Sequence, residues 1–412
     1  MPANLNCSFT TGLAGSGKST GLRARLAMDP EAFILTSTTG LSAINLGVAT
    51  LNSTLKFYDT DSLMDSYVNG KLYNTVKRLV TGPGSVKGLA IDEVSMMDSE
   101  QLDMIHDTFK KVAKHEDVTE DLELNLVGDF CQLSPVKAKF AFEARCWPEF
   151  EANTLKLDKV YRQDNMLFLE ALNEIRAGKG RSGVDLLKKC GVKFHDKLTK
   201  YSGTTIVPKN ESVDNYNKTL FNEVPGDIIR VATNRQGIQS NDWKEPKIPD
   251  VLELKIGCLV MILANDSTFK TYANGDQGIV EAFDSQTGMF QVRILSGLKE
   301  RNGKSVWVSK VTRVFKDNPR DPFTGELGKG KEVVGSVEYM PLRLGYASTV
   351  HRSQGLTLDN VQIDFRDRFF GNPGMMYVAL SRCRTPEGLR LVGSEEMMVK
   401  RTVVNQKVKR FL

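Results

Sequence analysis

The chain has 412 residues, more than a single hydrophobic core usually supports, so we expect two or three domains. With 41% hydrophobic and 25% charged residues, its composition is that of an ordinary globular protein and excludes a low-complexity or fibrous class. The formal net charge of +5 permits a nucleic-acid partner without requiring one, because a local basic groove matters more than the total charge.

Cysteine usage and the lack of targeting signals indicate the compartment. The six cysteines are scattered singly with no CxxC pair, which argues against a zinc site or a disulfide framework and fits a reducing compartment. The first residues, MPANLNCSFTTG, contain neither a basic segment nor an apolar run, so we expect no signal peptide. The sequence also contains no apolar stretch long enough to span a membrane. We therefore expect a cytoplasmic protein, located in the host cytoplasm if a phage encodes it.

Short apolar runs that end in polar or Gly-rich residues predict buried parallel strands, with helical patterns between them. These runs are residues 32–36, 88–92, 122–127, 204–208, 360–365 and 389–393. The alternation predicts an α/β fold built on parallel sheets, in which ligands bind beyond the carboxyl ends of the strands. Residues 52–86 lack a clear core strand, so we expect a small insert there in the first domain.

Residues 250–345 follow a different pattern, in which alternating segments are separated by the turn signals NGD, SQTG and RNGK. This pattern predicts antiparallel strands joined by hairpins, arranged as a small β-barrel inserted in the second α/β domain. We therefore expect a first domain at 1–153 and a second domain made of 154–249 and 341–412. The barrel insert would occupy 250–340.

The segment GLAGSGKS at residues 12–19 matches the phosphate-loop pattern GxxxxGK[ST] in full. The glycines let backbone N–H groups curl around the phosphates, and the positive end of the following helix adds to the attraction. We expect Lys18 to reach the β- and γ-phosphates and Ser19 to coordinate Mg²⁺. The predicted nucleotide-binding residues of this segment are Gly12, Gly15, Ser16, Gly17, Lys18, Ser19 and Thr20.

Two further strand ends carry polar groups suited to triphosphate hydrolysis. Asp92 and Glu93 follow the apolar run LAI, where Asp92 would hold Mg²⁺ and Glu93 would orient and deprotonate the attacking water. Gln132 follows the next strand and would contact the γ-phosphate. Taken alone, an acidic pair often caps a helix and a lone glutamine often lies on the surface. Together with the phosphate loop, these residues predict a nucleoside triphosphatase.

A series of segments resembles the RecD/Dda/Pif-type helicases of superfamily 1B, in the order found in that family. The matching segments are TSTTGLSAINLGVATLNST (36–54), IDEVSMMD (91–98), VGDFCQLSPV (127–136), LDKVYRQD (157–164), LNEIRAGK (172–179), NGDQGIV (274–280), LGYASTVHRSQGLTLD (344–359) and YVALSRCRT (377–385). The resemblance spans almost the whole chain. It implies two RecA-like motor domains with the nucleotide in the cleft between them and an SH3-like barrel in the second.

The resemblance also implies roles for individual residues. Arg162 and Arg382 match arginines that cross the cleft to the γ-phosphate, and Gln354 and Gly355 match the nucleotide-facing loop of the second domain. The residues that match positions near the nucleic-acid strand are Thr38, Asn45, Ser53, Thr349, His351 and Ser353. Three aromatic residues offer further stacking surfaces for bases, although core packing is the commoner role for each: Phe57, Tyr58 and Trp307.

These features predict an ATP- and Mg²⁺-dependent DNA helicase that moves 5′→3′ on single-stranded DNA. We expect a monomer that acts on forked or tailed duplexes, with replication, recombination or repair proteins as partners. Three alternatives stay open: an RNA helicase or translocase of the same fold, a phosphate-loop kinase, and a single-strand binder without enzymatic activity. The family usually carries a glutamine before the phosphate loop that reads adenine, whereas the first glutamine here is Gln101. We therefore expect relaxed nucleotide selectivity.

Overall fold

The computed structural model divides the chain into two compact units, Met1–Lys209 with Ser348–Leu412, and Asn210–Ala347. For residues 313–317 and 332–334 the structure describes the backbone but not the side chains. The three-domain division made from the sequence stays a prediction. The described residues are 3–39, 42–43, 46, 48–81, 84–116, 118, 120–157, 165–199, 203–237, 248–264, 266, 271–272, 276–295, 301–317 and 332–412.

The first sheet is parallel and has six strands in the order β3-β2-β4-β5-β1-β6. Its central strands are largely buried, which is why the sequence shows apolar-rich runs there. The carboxyl ends of β1 and β4 therefore open on the same edge of the sheet. The strands are β1 (Leu5–Gly12), β2 (Ile34–Ser37), β3 (Ala49–Thr50), β4 (Gly88–Asp92), β5 (Leu122–Val127) and β6 (Thr154–Leu157).

Helices cover this sheet and bury its apolar side chains. The longest of them, at Ser99–His115, begins after the N-cap Asp98 and turns Leu102, Ile105 and Phe109 into the core. The segment 52–86 that lacked a strand in the sequence forms helices, as a pattern without a core strand allows. The helices are α1 (Lys18–Met28), α2 (Leu51–Leu55), α3 (Thr60–Val68), α4 (Lys71–Thr81), α5 (Ser99–His115) and α6 (Trp147–Glu151).

The remainder of the first unit before residue 210 supplies two helices and two short strands. The helices pack against each other as a hairpin joined by Ala177–Lys179, where Gly178 adopts a left-handed φ of 79°. The elements are α7 (Met166–Arg176), α8 (Gly180–Lys189), β7 (Phe194–His195) and β8 (Thr204–Val207).

The described part of the second unit contains one helix and three antiparallel groups of strands, and the alternating pattern at 250–345 predicted the antiparallel strands there. Five strands pair in the order β15-β14-β13-β12-β18, three in the order β10-β17-β16, and β11 pairs with β9. The elements are α9 (Asn210–Glu223), β9 (Ile229–Ala232), β10 (Asn234–Gly237), β11 (Val251–Leu254), β12 (Leu259–Ile262), β13 (Gln277–Asp284), β14 (Met289–Ile294), β15 (Ser305–Val308), β16 (Val311–Asp317), β17 (Glu332–Tyr339) and β18 (Leu342–Leu344).

One alternating segment of the sequence in this unit forms two strands rather than one. The segment SVWVSKVTRVF at 305–315 breaks between Val308 and Val311, so that β15 pairs with β14 whereas β16 pairs with β17. The pattern therefore predicted strands here without revealing that they join different sheets.

The first unit resumes at Ser348 with a second parallel sheet of order β19-β8-β20-β21-β7. Its helices are short, and α11 follows Gly374, which adopts a left-handed φ of 79°. The elements are β19 (Ala347–Thr349), α10 (Val350–Ser353), β20 (Val361–Asp364), α11 (Met375–Leu380), β21 (Leu389–Val392) and α12 (Glu395–Arg401).

All six runs predicted as parallel strands form strands of the two parallel sheets. The sequence analysis missed β1, because polar residues interrupt its apolar pattern. Inside the sheet Ser8 is paired with the neighbouring strand, since its hydroxyl donates a hydrogen bond of 2.6 Å to the Asn125 side chain. Among the described helices, none is both long enough and apolar enough to cross a membrane.

Candidate active site

The loop between β1 and α1 has the shape that its glycines predict. Gly15 and Gly17 adopt left-handed φ values of 84° and 85°, which a residue with a Cβ rarely takes. Helix α1 begins at Lys18, and its N-cap Gly17 offers no side chain to the first-turn N–H groups. The Lys18 ammonium donates to the carbonyl oxygens of Gly12 and Leu13, at 2.8 Å each. The loop thus gathers a cation and N–H donors where an anion would bind.

An acidic pair stands beside this loop at the carboxyl end of β4. The Ser19 hydroxyl donates a 2.7 Å hydrogen bond to Asp92 Oδ2, and the Glu93 N–H donates 3.0 Å to Oδ1 of the same carboxylate. Asp92 is only 3% exposed, and burial together with the charge of Glu93 raises its pKa to about 6. A hydroxyl and a carboxylate held side by side are oxygen ligands of the kind that a hard cation such as Mg²⁺ prefers.

Glu93 is held in an unusual conformation and meets a residue from the second parallel sheet. Its φ of 56° is left-handed, which is uncommon for a residue other than glycine and is often found at functional sites. Its carboxylate Oε2 accepts a 3.1 Å hydrogen bond from Nε2 of Gln354, which follows α10. The structure therefore brings Glu93 and Gln354 together, although they lie far apart in the sequence.

Several buried oxygens around the loop have no hydrogen-bond partner among the described residues, whereas most buried polar atoms in proteins are paired. Two belong to the loop and its flank and two belong to the predicted glutamines: Thr11 Oγ1, Ser16 Oγ, Gln132 Oε1 and Gln354 Oε1. Unsatisfied buried groups of this kind point to a polar ligand. Their number and position fit a nucleotide bound at the phosphate loop.

A buried polar network that the sequence analysis did not assign lies next to the loop. The Ala14 N–H donates 2.9 Å to the Tyr377 hydroxyl, which donates 3.2 Å to Asp129 Oδ2. Asp129 is also paired with Arg176 at 2.9 Å, and both side chains are buried. Burial opposes ionisation of Asp129, but the guanidinium outweighs it and lowers the pKa of the carboxyl. Asp129, Arg176 and Tyr377 lie in segments that resemble the helicases, but only the fold shows that they meet.

Of the two predicted cleft arginines, the structure describes Arg382 but not Arg162. Arg382 is 2% exposed, and its guanidinium donates to the carbonyls of Val378 and Leu356 and to the Ser381 hydroxyl at 2.7–3.3 Å. It is therefore held by its own half of the unit, and contact with a γ-phosphate stays a prediction. Arg162 lies outside the described residues. Gly355, next to Gln354, adopts a left-handed φ of 84°.

Of the predicted strand contacts in the first half, two are described. Thr38 is half-buried, and its hydroxyl donates 2.6 Å to the carbonyl of Glu93, which links this position directly to the acidic pair. Ser53 is exposed on α2, and its N–H donates to the Thr50 hydroxyl. Asn45 lies outside the described residues. The two aromatic residues that follow differ in exposure, since Phe57 is buried in the core whereas Tyr58 is 78% exposed.

The three predicted strand contacts of the second half lie around α10. Thr349 is buried and caps the helix by accepting the Arg352 N–H at 3.2 Å. Ser353 is fully buried, and its hydroxyl donates to the Val350 carbonyl, so a strand does not reach it in this arrangement. His351 is partly buried, and burial lowers its pKa, which favours the neutral ring. These residues shape the loop before Gln354.

Outside this site, one group of metal-ligand types comes together in the core among the described residues. Cys7, His106 and Glu149 bring one ligand atom each within 4.8 Å of one another. However, His106 Nε2 is hydrogen-bonded to Glu149 at 3.1 Å, and Lys110 pairs with the same carboxylate. Burial raises the pKa of the Cys7 thiol to about 12, which opposes the thiolate that a metal needs. We interpret the group as a hydrogen-bonded part of the core.

Comparison with known proteins places the chain in a family. A family model described as an AAA domain matches residues 4–193. The ATP-dependent DNA helicase Pif1 of Bdellovibrio bacteriovorus is 31% identical over 394 residues, which cover 93% of this chain and 84% of that protein. This chain belongs to the Pif1 helicase family. Human ATP-dependent DNA helicase PIF1 is 28% identical over 408 residues, and the chain spans 59% of the length of that relative.

The solved structures of the Pif1 family agree with this assignment. The structure of the Pif1 helicase from Bacteroides in complex with ADP-AlF3 and ssDNA aligns with a TM-score of 0.68 at 27% identity. The alignment covers 100% of this chain and 92% of that one. The two parallel sheets and the antiparallel strands accordingly correspond to two RecA-like domains with a β insert in the second, as the resemblance implied.

Proposed function

We propose that this chain is an ATP-dependent DNA helicase that translocates 5′→3′ on single-stranded DNA. The observation that carries the proposal is the hydrogen bond between Gln354 and Glu93, because it joins a loop of the second parallel sheet to the carboxylate beside the phosphate loop. A group from each RecA-like domain thus meets at the site where triphosphate would be cleaved. The family relatives named above as ATP-dependent DNA helicases support this reading.

In the proposed chemistry, the phosphate loop binds the triphosphate and Glu93 activates water. Lys18 would exchange its carbonyl partners Gly12 and Leu13 for phosphate oxygens, since charge-assisted bonds to an anion are stronger. Glu93 would orient and deprotonate the attacking water. Gln132 and Gln354 each present an unsatisfied buried oxygen and would report the nucleotide state. The remaining residues that we assign to nucleotide binding are Gly12, Gly15, Ser16, Gly17, Ser19, Thr20 and Gly355.

Ser19 and Asp92 would hold Mg²⁺, since their oxygens lie 2.7 Å apart beside the phosphate loop. When bound, the ion neutralises developing charge on the transferred phosphoryl group. Arg162 and Arg382 would supply further positive charge from the second domain. For Arg382 this requires release from Leu356 and Val378, so we expect its engagement to accompany a movement of that domain.

The nucleic-acid strand would contact small polar groups that hold register without reading sequence. Ser53 and Tyr58 are exposed on the first domain, and the Thr38 hydroxyl donates to the carbonyl of Glu93. The Bacteroides relative was solved with single-stranded DNA, which supports DNA as the polymer. We propose that the chain acts as a monomer on forked or tailed duplexes, in replication, recombination or repair.

Unwinding of tailed duplexes tests the proposal. Four substrates carry a 5′ or a 3′ tail of DNA or RNA, and the release of a labelled strand is followed with ATP and Mg²⁺. We expect release from the duplex with the 5′ DNA tail and none with Lys18→Ala. Preference for a 3′ tail would overturn the polarity, preference for RNA tails would favour the RNA-directed alternative, and loss of ATP hydrolysis in all conditions would overturn the function itself.

A further inference from the structure

The Tyr377 hydroxyl joins the phosphate loop to the second parallel sheet. Tyr377 lies in α11 and is almost fully buried. Its oxygen accepts the Ala14 N–H at 2.9 Å, and its proton is donated to Asp129 Oδ2 at 3.2 Å. A phenol that both donates and accepts has satisfied both of its hydrogen-bonding roles. The hydroxyl is thus fixed between the loop that cradles phosphate and the polar end of β5.

The aspartate that receives this proton is itself held firmly. Arg176 of α7 donates to Asp129 through both Nε and Nη2, at 2.9–3.3 Å. Nη2 also donates to the carbonyl of Phe411, whose ring packs against Phe130 with centroids 4.9 Å apart. A buried carboxylate with a forked guanidinium partner has one strongly preferred geometry. The carboxylate that accepts the hydrogen bond of the Tyr377 hydroxyl is therefore held in one position.

The backbone at the start of α11 packs closely against the loop that carries Gln132. A Cβ built on Gly374 would lie 2.4 Å from the carbonyl oxygen of Gln132, so the backbone of α11 touches the loop that carries the predicted γ-phosphate sensor. Val378, in the next turn after Gly374, accepts a hydrogen bond from Arg382. The same short helix thus contacts the phosphate loop and the Gln132 loop, and positions the predicted arginine finger.

We propose that Tyr377 is a positioning residue that couples the phosphate loop to the second domain, so that nucleotide binding and strand binding are energetically linked. The inference rests on the proposed helicase function. Phosphate binding draws on backbone N–H groups of the loop, and the Ala14 N–H already donates to the side chain of Tyr377 in α11. A change of loop geometry must therefore either move α11 with it or break this bond. By thermodynamic linkage, the factor by which the strand changes nucleotide affinity must equal the factor by which the nucleotide changes strand affinity.

Equilibrium binding measures this coupling directly. The affinity of the full chain for a non-hydrolysable ATP analogue is measured with and without saturating oligo(dT), and the ratio is the coupling factor. We expect Tyr377→Phe, which keeps the ring but removes the hydroxyl, to reduce this factor at least about fivefold, the low end of usual couplings. Tyr346→Phe is the matched control, because the Tyr346 hydroxyl also accepts a backbone N–H, that of Leu259, at 3.1 Å in the other unit.

The outcomes separate this inference from the proposed function. An unchanged coupling factor in a folded Tyr377→Phe protein overturns the inference, as does a wild-type factor of one. A purely structural role would lower the melting temperature in both tyrosine variants and leave the factor intact. If Tyr377→Phe does not fold, Asp129→Asn replaces it, since the hydroxyl then loses its charged anchor and the factor should fall. Failure of the wild-type chain to bind the analogue would instead contradict the proposed function.

Discussion

Gln354 Nε2 donates a 3.1 Å hydrogen bond to Glu93 Oε2, although the two residues are 261 positions apart in the chain. The bond uses one lone pair of the carboxylate that we assign as the base for water. It also leaves Gln354 Oε1 buried and without a partner among the described residues. Any rearrangement of the loop after α10 therefore changes the surroundings of Glu93, and we propose that the strand affects the hydrolysis step through this contact.

Introducing a negative charge at this contact should impair its role in hydrolysis. We expect Gln354→Glu to lower strand-stimulated ATP hydrolysis at least about tenfold, because two carboxylates would face each other and repel. The steady-state rate with and without oligo(dT) measures the effect. Gln354→Met has a similar length and no charge, so it separates loss of the hydrogen bond from repulsion. Wild-type stimulation in both variants would contradict a role for this contact.

Loss of the proposed base should separate binding from chemistry. We expect Glu93→Gln to reduce the hydrolysis rate about 10²–10⁴-fold, the usual contribution of a general base, because the amide does not accept the proton of water. Nucleotide affinity should stay within about threefold, since the amide keeps nearly the same size. Single-turnover hydrolysis and fluorescent-nucleotide titration give the two numbers. A rate that falls less than tenfold would remove Glu93 from the mechanism.

The buried pair between Arg176 and Asp129 should dominate the stability of its region. We expect Arg176→Ala to lower the free energy of unfolding by about 3–5 kcal/mol, because it leaves an uncompensated buried carboxylate. The matched control is Arg230→Ala, which breaks the exposed 2.9 Å pair with Glu253 and should cost no more than about 1 kcal/mol. Denaturant unfolding measures both. Equal losses would show that burial of the pair does not matter.

The exposed ring of Tyr58 should contribute to strand binding. Its backbone is held on both sides, since its N–H donates 2.8 Å to the Ser62 hydroxyl and its carbonyl accepts the Asn52 amide at 3.0 Å. An exposed ring on a held backbone is suited to base stacking, which is worth about 1–3 kcal/mol per base. We expect Tyr58→Ala to weaken oligo(dT) binding about five- to 150-fold and Tyr58→Phe to retain it. Unchanged affinity of Tyr58→Ala would exclude this position from the strand path.

Local sequence determined the strands and the phosphate loop because their signals depend on neighbouring residues. Apolar-rich runs predicted β4 and β5, since strands that are largely buried on both faces are rich in Leu, Ile and Val. The spacing in GLAGSGKS predicted a loop that needs left-handed glycines, and Gly15 and Gly17 adopt that conformation. Where polar residues broke the run, as in β1, the local signal failed, because partners such as Asn125 come from another strand.

Tertiary structure alone decided which of these groups meet and which are accessible. The sequence named Gln354 and Glu93 separately, but the fold joined them and also enclosed Ser353, a predicted strand contact. It placed the Tyr377 hydroxyl between Ala14 and Asp129, with partners 363 and 248 positions away. Burial and hydrogen bonding depend on the packing of distant elements, and no pattern of neighbouring residues encodes that packing. The sequence therefore predicted the chemical role of the individual residues, whereas only the tertiary structure showed which of them are in contact.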